Sequence, residues 1–165
     1  MELNVEIDPK SAPMVELNVL RSPNREEFTR IAFFKDRGFR VHTPVEQAGA
    51  LLANGGTVAK RYNQKGSVQL HDGLLTLDSS YSSTLPGALS RAPETAPIRL
   101  DSEELLNLRV FIDRSVVEVF ANGRQCVAVR VYPGREDSTG VSLRAQGNEA
   151  ELRSLDVWQM KSIYS

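Results

Sequence analysis

The chain has 165 residues, 41% hydrophobic and 25% charged, with a formal net charge of −1. That fits one globular domain of ordinary size, and excludes a general electrostatic pull toward nucleic acid or an anionic membrane. No apolar run reaches the length of a membrane span, and the single Cys126 excludes an intramolecular disulfide.

Alternation of apolar and polar residues begins at once. Leu3, Val5 and Ile7 point one way, with Glu2, Asn4 and Glu6 opposite, and no apolar signal core is present. The compartment is left open. Val15, Leu17 and Val19 repeat the pattern, with Glu16 and Asn18 between them. Asp36-Arg37-Gly38 and Asp72-Gly73 mark reversals.

Residues 39–73 are less regular and read as an insertion or elaborated loop, with a weak hairpin and a short helical piece over Val45 to Leu52. Asn54-Gly55-Gly56 lacks the following Lys-Ser or Lys-Thr of a phosphate cradle. Ser79 to Pro97 is rich in Ser and Pro and reads as an ordered crossing between sheets. Glu103 to Leu106 offers at most one helical turn.

Leu106, Leu108, Val110 and Ile112 form a longer alternating run, then Val127, Val129 and Val131, then Val141, Leu143 and Ala145. Asn122-Gly123 separates two of these runs and favours a two-residue type I′ hairpin. The expected fold is therefore all-β: a two-sheet antiparallel β-sandwich of the jelly-roll or concanavalin-like kind, with about eleven or twelve strands in a single domain over 1–165. Phe111, Phe120 and Tyr132 fall on nominally outer faces, which a covering loop or second domain would explain.

Few residues suggest chemistry. Cys126 reads as a small buried apolar residue. His42 and His71 lack a third ligand at metal-site spacing, so neither a metal nor another cofactor is expected. Asp113 and Glu118 flank a turn, but Asp113 reads as shaping that turn through a side-chain to backbone hydrogen bond, and Glu118 as facing outward or meeting an arginine. Trp158 is the obvious sugar-stacking candidate, with Tyr62 and Tyr81 weaker; for Trp158, a core or interface position is the competing reading. Scattered arginines among acids do not make a nucleic-acid footprint.

Five blocks of the chain, in order, resemble the C-terminal β-sandwich of family-32 glycoside hydrolases, the invertases, levanases, inulinases and other β-fructosidases. They are Glu6-Ile7-Asp8-Pro9, Leu77 to Ser83, Phe111 to Pro133 with its Asp113-Arg114-Ser115-Val116-Val117-Glu118-Val119-Phe120 core, Ser138 to Leu143, and Ser154 to Met160. Only Phe39 to Gly73 departs. The resemblance implies a parent enzyme whose catalysis belongs to a preceding five-bladed β-propeller. There an Asp in an N-D-P-N-G-like motif is the nucleophile, an Asp in R-D-P stabilises the transition state, and a Glu in E-C is the acid/base. None of these motifs occurs here, so no catalytic residue carries over.

The resemblance thus implies a non-catalytic module that stabilises the propeller of its own parent chain, while the parent cleaves β-fructosidic bonds of sucrose or fructans with retention. The Asp113-Arg114 turn is a candidate docking point, because an arginine can hold a carboxylate across an interface in a bidentate pair; an ordinary surface arginine is the competing reading. The alternatives are a carbohydrate-binding, lectin-like module, which would take fructan or sucrose, and a homo-oligomerisation module.

Overall fold

Period-two apolar positions become strands because every second side chain can then leave water together. The computed structural model describes residues 1–37, 40–44, 57–60, 67–71, 73–89 and 91–161. Among these the strands are β1 (Glu2–Asp8), β2 (Met14–Arg21), β3 (Thr29–Phe34), β4 (Arg40–Pro44), β5 (Thr57–Lys60), β6 (Ser67–His71), β7 (Gly73–Asp78), β8 (Glu94–Ile98), β9 (Leu106–Asp113), β10 (Val116–Ala121), β11 (Gln125–Arg130), β12 (Gly140–Gln146) and β13 (Glu151–Trp158).

Two five-stranded antiparallel sheets, ordered β11-β10-β9-β1-β13 and β12-β2-β3-β7-β8, make the β-sandwich. A third sheet, β4-β6-β5, lies inside the 39–73 segment, where a weak hairpin was expected. The short helix expected over Val45 to Leu52 and the Asn54-Gly55-Gly56 run lie outside the described residues, as do Gly38 and Asp72 of the two expected reversals.

The core sits between the two large sheets. Leu3, Val5 and Ile7 of β1 and Leu106, Leu108 and Val110 of β9 face Leu17, Ile31, Phe33, Leu75 and Leu77 of the second sheet. Each such side chain stabilises the fold by about 1.5–3 kcal/mol when fully buried. No helix occurs among the described residues; Glu103-Glu104 closes a simple turn instead, with the Glu104 amide donating to the Asp101 carbonyl at 3.1 Å.

Two expectations about the fold are corrected. Ser79 to Pro97 does not cross between sheets. It returns from β7 to its own neighbour β8 in the same sheet, and its last residues are strand. Pro97 disguises that strand; it is tolerated because β8 is the edge, where a missing amide breaks no ladder on the open side. Glu16 and Asn18, spaced as outward polar positions, are buried. Asn18 Nδ2 donates to Glu16 Oε1 at 2.8 Å, and Arg144 bridges to Glu16 at 3.1 Å, which matches the two to each other rather than to water.

The Asn122-Gly123 reversal has positive φ at both residues, 49° and 63°, as a type I′ turn demands. The Arg124 amide closes it on the Ala121 carbonyl at 3.0 Å. Ala121 pairs with Gln125, so the loop spans three residues rather than the expected two. The Asn122 side chain also anchors it: its Oδ1 accepts from the Asn107 amide, and its Nδ2 donates to Leu105 O and Glu104 Oε1.

Candidate functional surface

One end of the sandwich gathers most of the residues that the sequence singles out. Met1 exchanges two hydrogen bonds with Ile112, each 2.8 Å, so β1 pairs with β9 from its first residue. Immediately beyond Ile112 comes the β9–β10 turn. Asp113 pairs with Val116 across it, and Arg114 holds φ +52°, a left-handed conformation that costs a non-glycine residue about 1–2 kcal/mol. Ser115 accepts the Val131 amide at 2.8 Å, tying the turn to the 131–139 loop. Asp113 and Arg114 are both exposed. The expected bond from the Asp113 side chain to the turn backbone is not formed; the shape of the turn comes from Arg114 and the hairpin register.

The outer face of the first sheet rises from this end. Trp158 lies opposite Glu2, Glu2 opposite Phe111, and Phe111 opposite Glu118. Phe111 and Phe120 meet edge to face at 5.9 Å, the geometry that ring quadrupoles favour. Arg109 lies 5.1 Å from the Phe111 ring centroid and bridges to Glu2 at 2.6 Å. Phe120, Tyr132 and Trp158 remain exposed, so the cover expected over this face is not supplied by the described residues.

Trp158 is 47% exposed, which rules out the core position. Tyr81 is exposed too, but its ring is stacked on Phe28 at 5.1 Å and Arg30 lies 5.8 Å from its centroid. Tyr62 lies outside the described residues. Cys126 is exposed, not buried: it pairs with Phe120, which puts it on the outer side of β11 while Val127 turns inward. The alternation of Val127 and Val129 carried that signal. Partial desolvation and then the Glu118 charge push its thiol above the ordinary value, away from nucleophilic use at neutral pH.

Six of the described carboxyls have environments unsuited to acid catalysis. Retaining glycoside hydrolysis needs one carboxyl held protonated beside an ionised one about 5 Å away. Every described carboxyl with a displaced pKa is displaced downward: Asp8, Glu26, Glu27, Asp78, Glu104 and Asp137. Asp113 and Glu118 share the outer face as exposed residues, without an enclosing pocket among the described residues.

Glu27 is the exceptional acid, and sequence reading missed it. It is fully buried and accepts five hydrogen bonds: from the Thr84 amide and hydroxyl at 2.6 and 2.8 Å, the Gly134 and Arg135 amides at 2.8 and 3.2 Å, and the Ser138 hydroxyl at 2.7 Å. Burial pushes the carboxyl up, but the donors, Ser138 first, outweigh it and hold the pKa at about 2. One side chain thereby clamps the 79–93 and 131–139 loops to the β2–β3 connection. Nothing local in Arg25-Glu26-Glu27-Phe28 announces this, because the partners lie 57 to 111 residues away.

At the opposite end an open cleft of about 570 Å3 runs past Lys10, Lys35, Arg99 and Arg153 and the acids Asp8, Asp101, Glu103 and Glu104. Four of its charged groups, Asp8, Lys10, Glu104 and Arg153, are held in ion pairs. Arg153 bridges to Asp8 at 3.0 Å and to Glu151 at 2.8 Å, and Lys10 bridges to Glu151 at 3.0 Å. The Lys10 amide, then Arg153, lower the Asp8 pKa. Among the described residues no cluster of three or more His, Cys, Asp or Glu could hold a metal ion.

Comparison with known proteins adds a family to this geometry. The family model described as glycosyl hydrolases family 32, C terminal, matches residues 1–159. Among curated proteins, beta-fructofuranosidase 1 of Zea mays is 41% identical over 70 residues, which is 39% of this chain and 10% of that protein. The levanase of Bacillus subtilis (strain 168) is 34% identical over 82 residues, 49% of this chain and 12% of that protein. Among solved structures, exo-inulinase from Aspergillus awamori superposes with a TM-score of 0.57 at 17% identity, over 93% of this chain and 23% of that one. The matched region thus spans about a tenth of the curated relatives' length.

Proposed function

Since the chain belongs to glycosyl hydrolase family 32, as its C-terminal β-sandwich domain, we propose that it is the non-catalytic module of a larger β-fructosidase-type enzyme and stabilises the catalytic domain of the same polypeptide. The observation that carries this reading is the pairing of a family match over 1–159 with curated relatives in which the aligned stretch makes up only about a tenth of the length. The lowered carboxyl pKa values support the non-catalytic part, since a general acid needs the opposite displacement. In the parent, retaining hydrolysis of β-fructosidic bonds, as in sucrose or fructans, would be the work of the preceding domain.

Asp113 and Arg114 form the proposed docking turn. They are exposed, and they sit beside Met1, where a preceding domain would join. Incubating the 165-residue chain with sucrose or an aryl fructoside is expected to give no hydrolysis, and turnover by the pure protein would end this reading. Arg114→Ala in the longer polypeptide is expected to lower its melting temperature; unchanged melting would remove the docking role. Trp158 favours a second reading, sugar binding without catalysis, because it is an exposed ring on a sheet face. Calorimetric titration of the chain with a fructan separates the two: heat that Trp158→Ala abolishes would establish the second.

A further inference from the structure

The β12–β13 edge of the sandwich is unfinished. Cross-strand register puts Leu152, Leu155 and Val157 on the same side of the first sheet as Ile7, Val5 and Leu3. Those three β1 residues are wholly buried, yet Leu152, Leu155 and Val157 are 45%, 40% and 51% exposed. What differs is the layer across from them. Opposite, the second sheet ends at β12, whose inward Leu143 and Ala145 are themselves only partly buried. The two edge strands therefore frame an apolar seam open to solvent. With Trp158 and Met160, the 152–160 stretch holds five of the ten exposed large apolar residues described. Scattered exposed apolar residues are ordinary, whereas three on the inward side of one edge strand mark a contact surface.

We propose that this seam is the seat of a domain joined ahead of Met1 in the same polypeptide, an inference that rests on the functional reading above. The chain enters beside the seam: Glu2 is paired with Trp158, so a domain ahead of Met1 starts at the mouth of the apolar strip. Such tethering gives a high effective concentration, so a modest apolar contact is enough to hold. A second copy adding a strand to the edge is a poorer occupant. The β1–β13 register slips between Glu6 and Ile7, leaving Arg153 as a bulge, and Glu151, Arg153 and Asp156 place charge along the edge. These are the devices by which sheet edges resist pairing. The occupant must offer an apolar ridge to Leu143, Leu155 and Val157, and Arg114 lies near the same corner through the Met1–Ile112 pair.

The test compares the 165-residue chain with the longer polypeptide that includes what precedes Met1, by amide hydrogen exchange and thermal melting. Amides of Glu151 to Trp158 are expected to exchange at least about tenfold more slowly in the longer polypeptide. Leu155→Asp and Val157→Asp are expected to abolish that protection and lower the melting temperature of the longer polypeptide, while shifting the 165-residue chain by no more than about 2 °C. Equal exchange in the two proteins, or equal effects of the substitutions, would overturn the proposal. So would a 165-residue chain that sediments as a dimer whose β13 protection grows with concentration, since a second copy would then be the occupant. A preceding domain that protects β13 but cleaves no fructoside would uphold the seam and remove the functional reading.

Discussion

The two edges of the sandwich are built from the same alternation and end in opposite states. At one edge β8 and β11 come together, and Ala96, Ile98 and Val127 are buried. At the other, β12 and β13 also carry inward positions, set out of step in β13 by the bulge at Arg153, and Leu152, Leu155 and Val157 stand in water. Period-two alternation decides which side of a sheet a residue faces. Whether that side is covered depends on a partner layer, and that layer need not lie within the same stretch of chain.

The clamp at Glu27 gives the largest effect by which to test this picture, because it should hold the fold together independently of either edge. Glu27→Ala is expected to cost about 3–5 kcal/mol, read as the urea midpoint, since it leaves five donors without their acceptor. The pH dependence has a definite sign. The folded pKa of about 2 is below the ordinary 4.5, so the stabilisation is complete above about 4.5 and is lost as pH falls toward 2. Glu27→Gln is expected to flatten the stability profile across that window, and an unchanged slope would remove the clamp.

The edges themselves come next. Ile98→Ala at the closed edge is expected to cost about 2–4 kcal/mol, whereas Leu155→Ala at the open edge should cost under about 1 kcal/mol in the 165-residue chain. Equal costs in denaturant titrations would break the comparison. Asn122→Ala should cost about 1–2 kcal/mol, because it removes three side-chain hydrogen bonds and places alanine at φ +49°. The smallest expected effect is a gain. Arg114→Gly relieves the φ of +52° and should raise the stability of the 165-residue chain by about 0.5–1 kcal/mol in the same titrations.

Much of the fold is legible in the sequence because two-sheet packing acts through local alternation. Leu3, Val5 and Ile7, then Leu106 to Ile112, declare their strands and their inward sides. Legibility fails where long-range partners override local pattern. Pro97 hides an edge strand, and Glu16 is buried because Asn18 and Arg144 meet it. Glu27 is invisible because its five donors come from two distant loops. Cys126 is the reverse case: its neighbours Val127 and Val129 already point it outward, but the usual preference of cysteine for burial suggests otherwise. Of the candidate surface, the Asp113-Arg114 turn was readable from the five blocks, and the strain at Arg114 was not.

The pairing of Glu2 with Trp158 has a practical side. First and last strands are neighbours in one sheet, so their outer ends emerge at a single corner. A few glycines could bridge that gap, and the backbone could then be reopened at the exposed Gly147-Asn148 bend between β12 and β13. Such a circular permutant would carry its new ends at the far pole, freeing the seam from any tether.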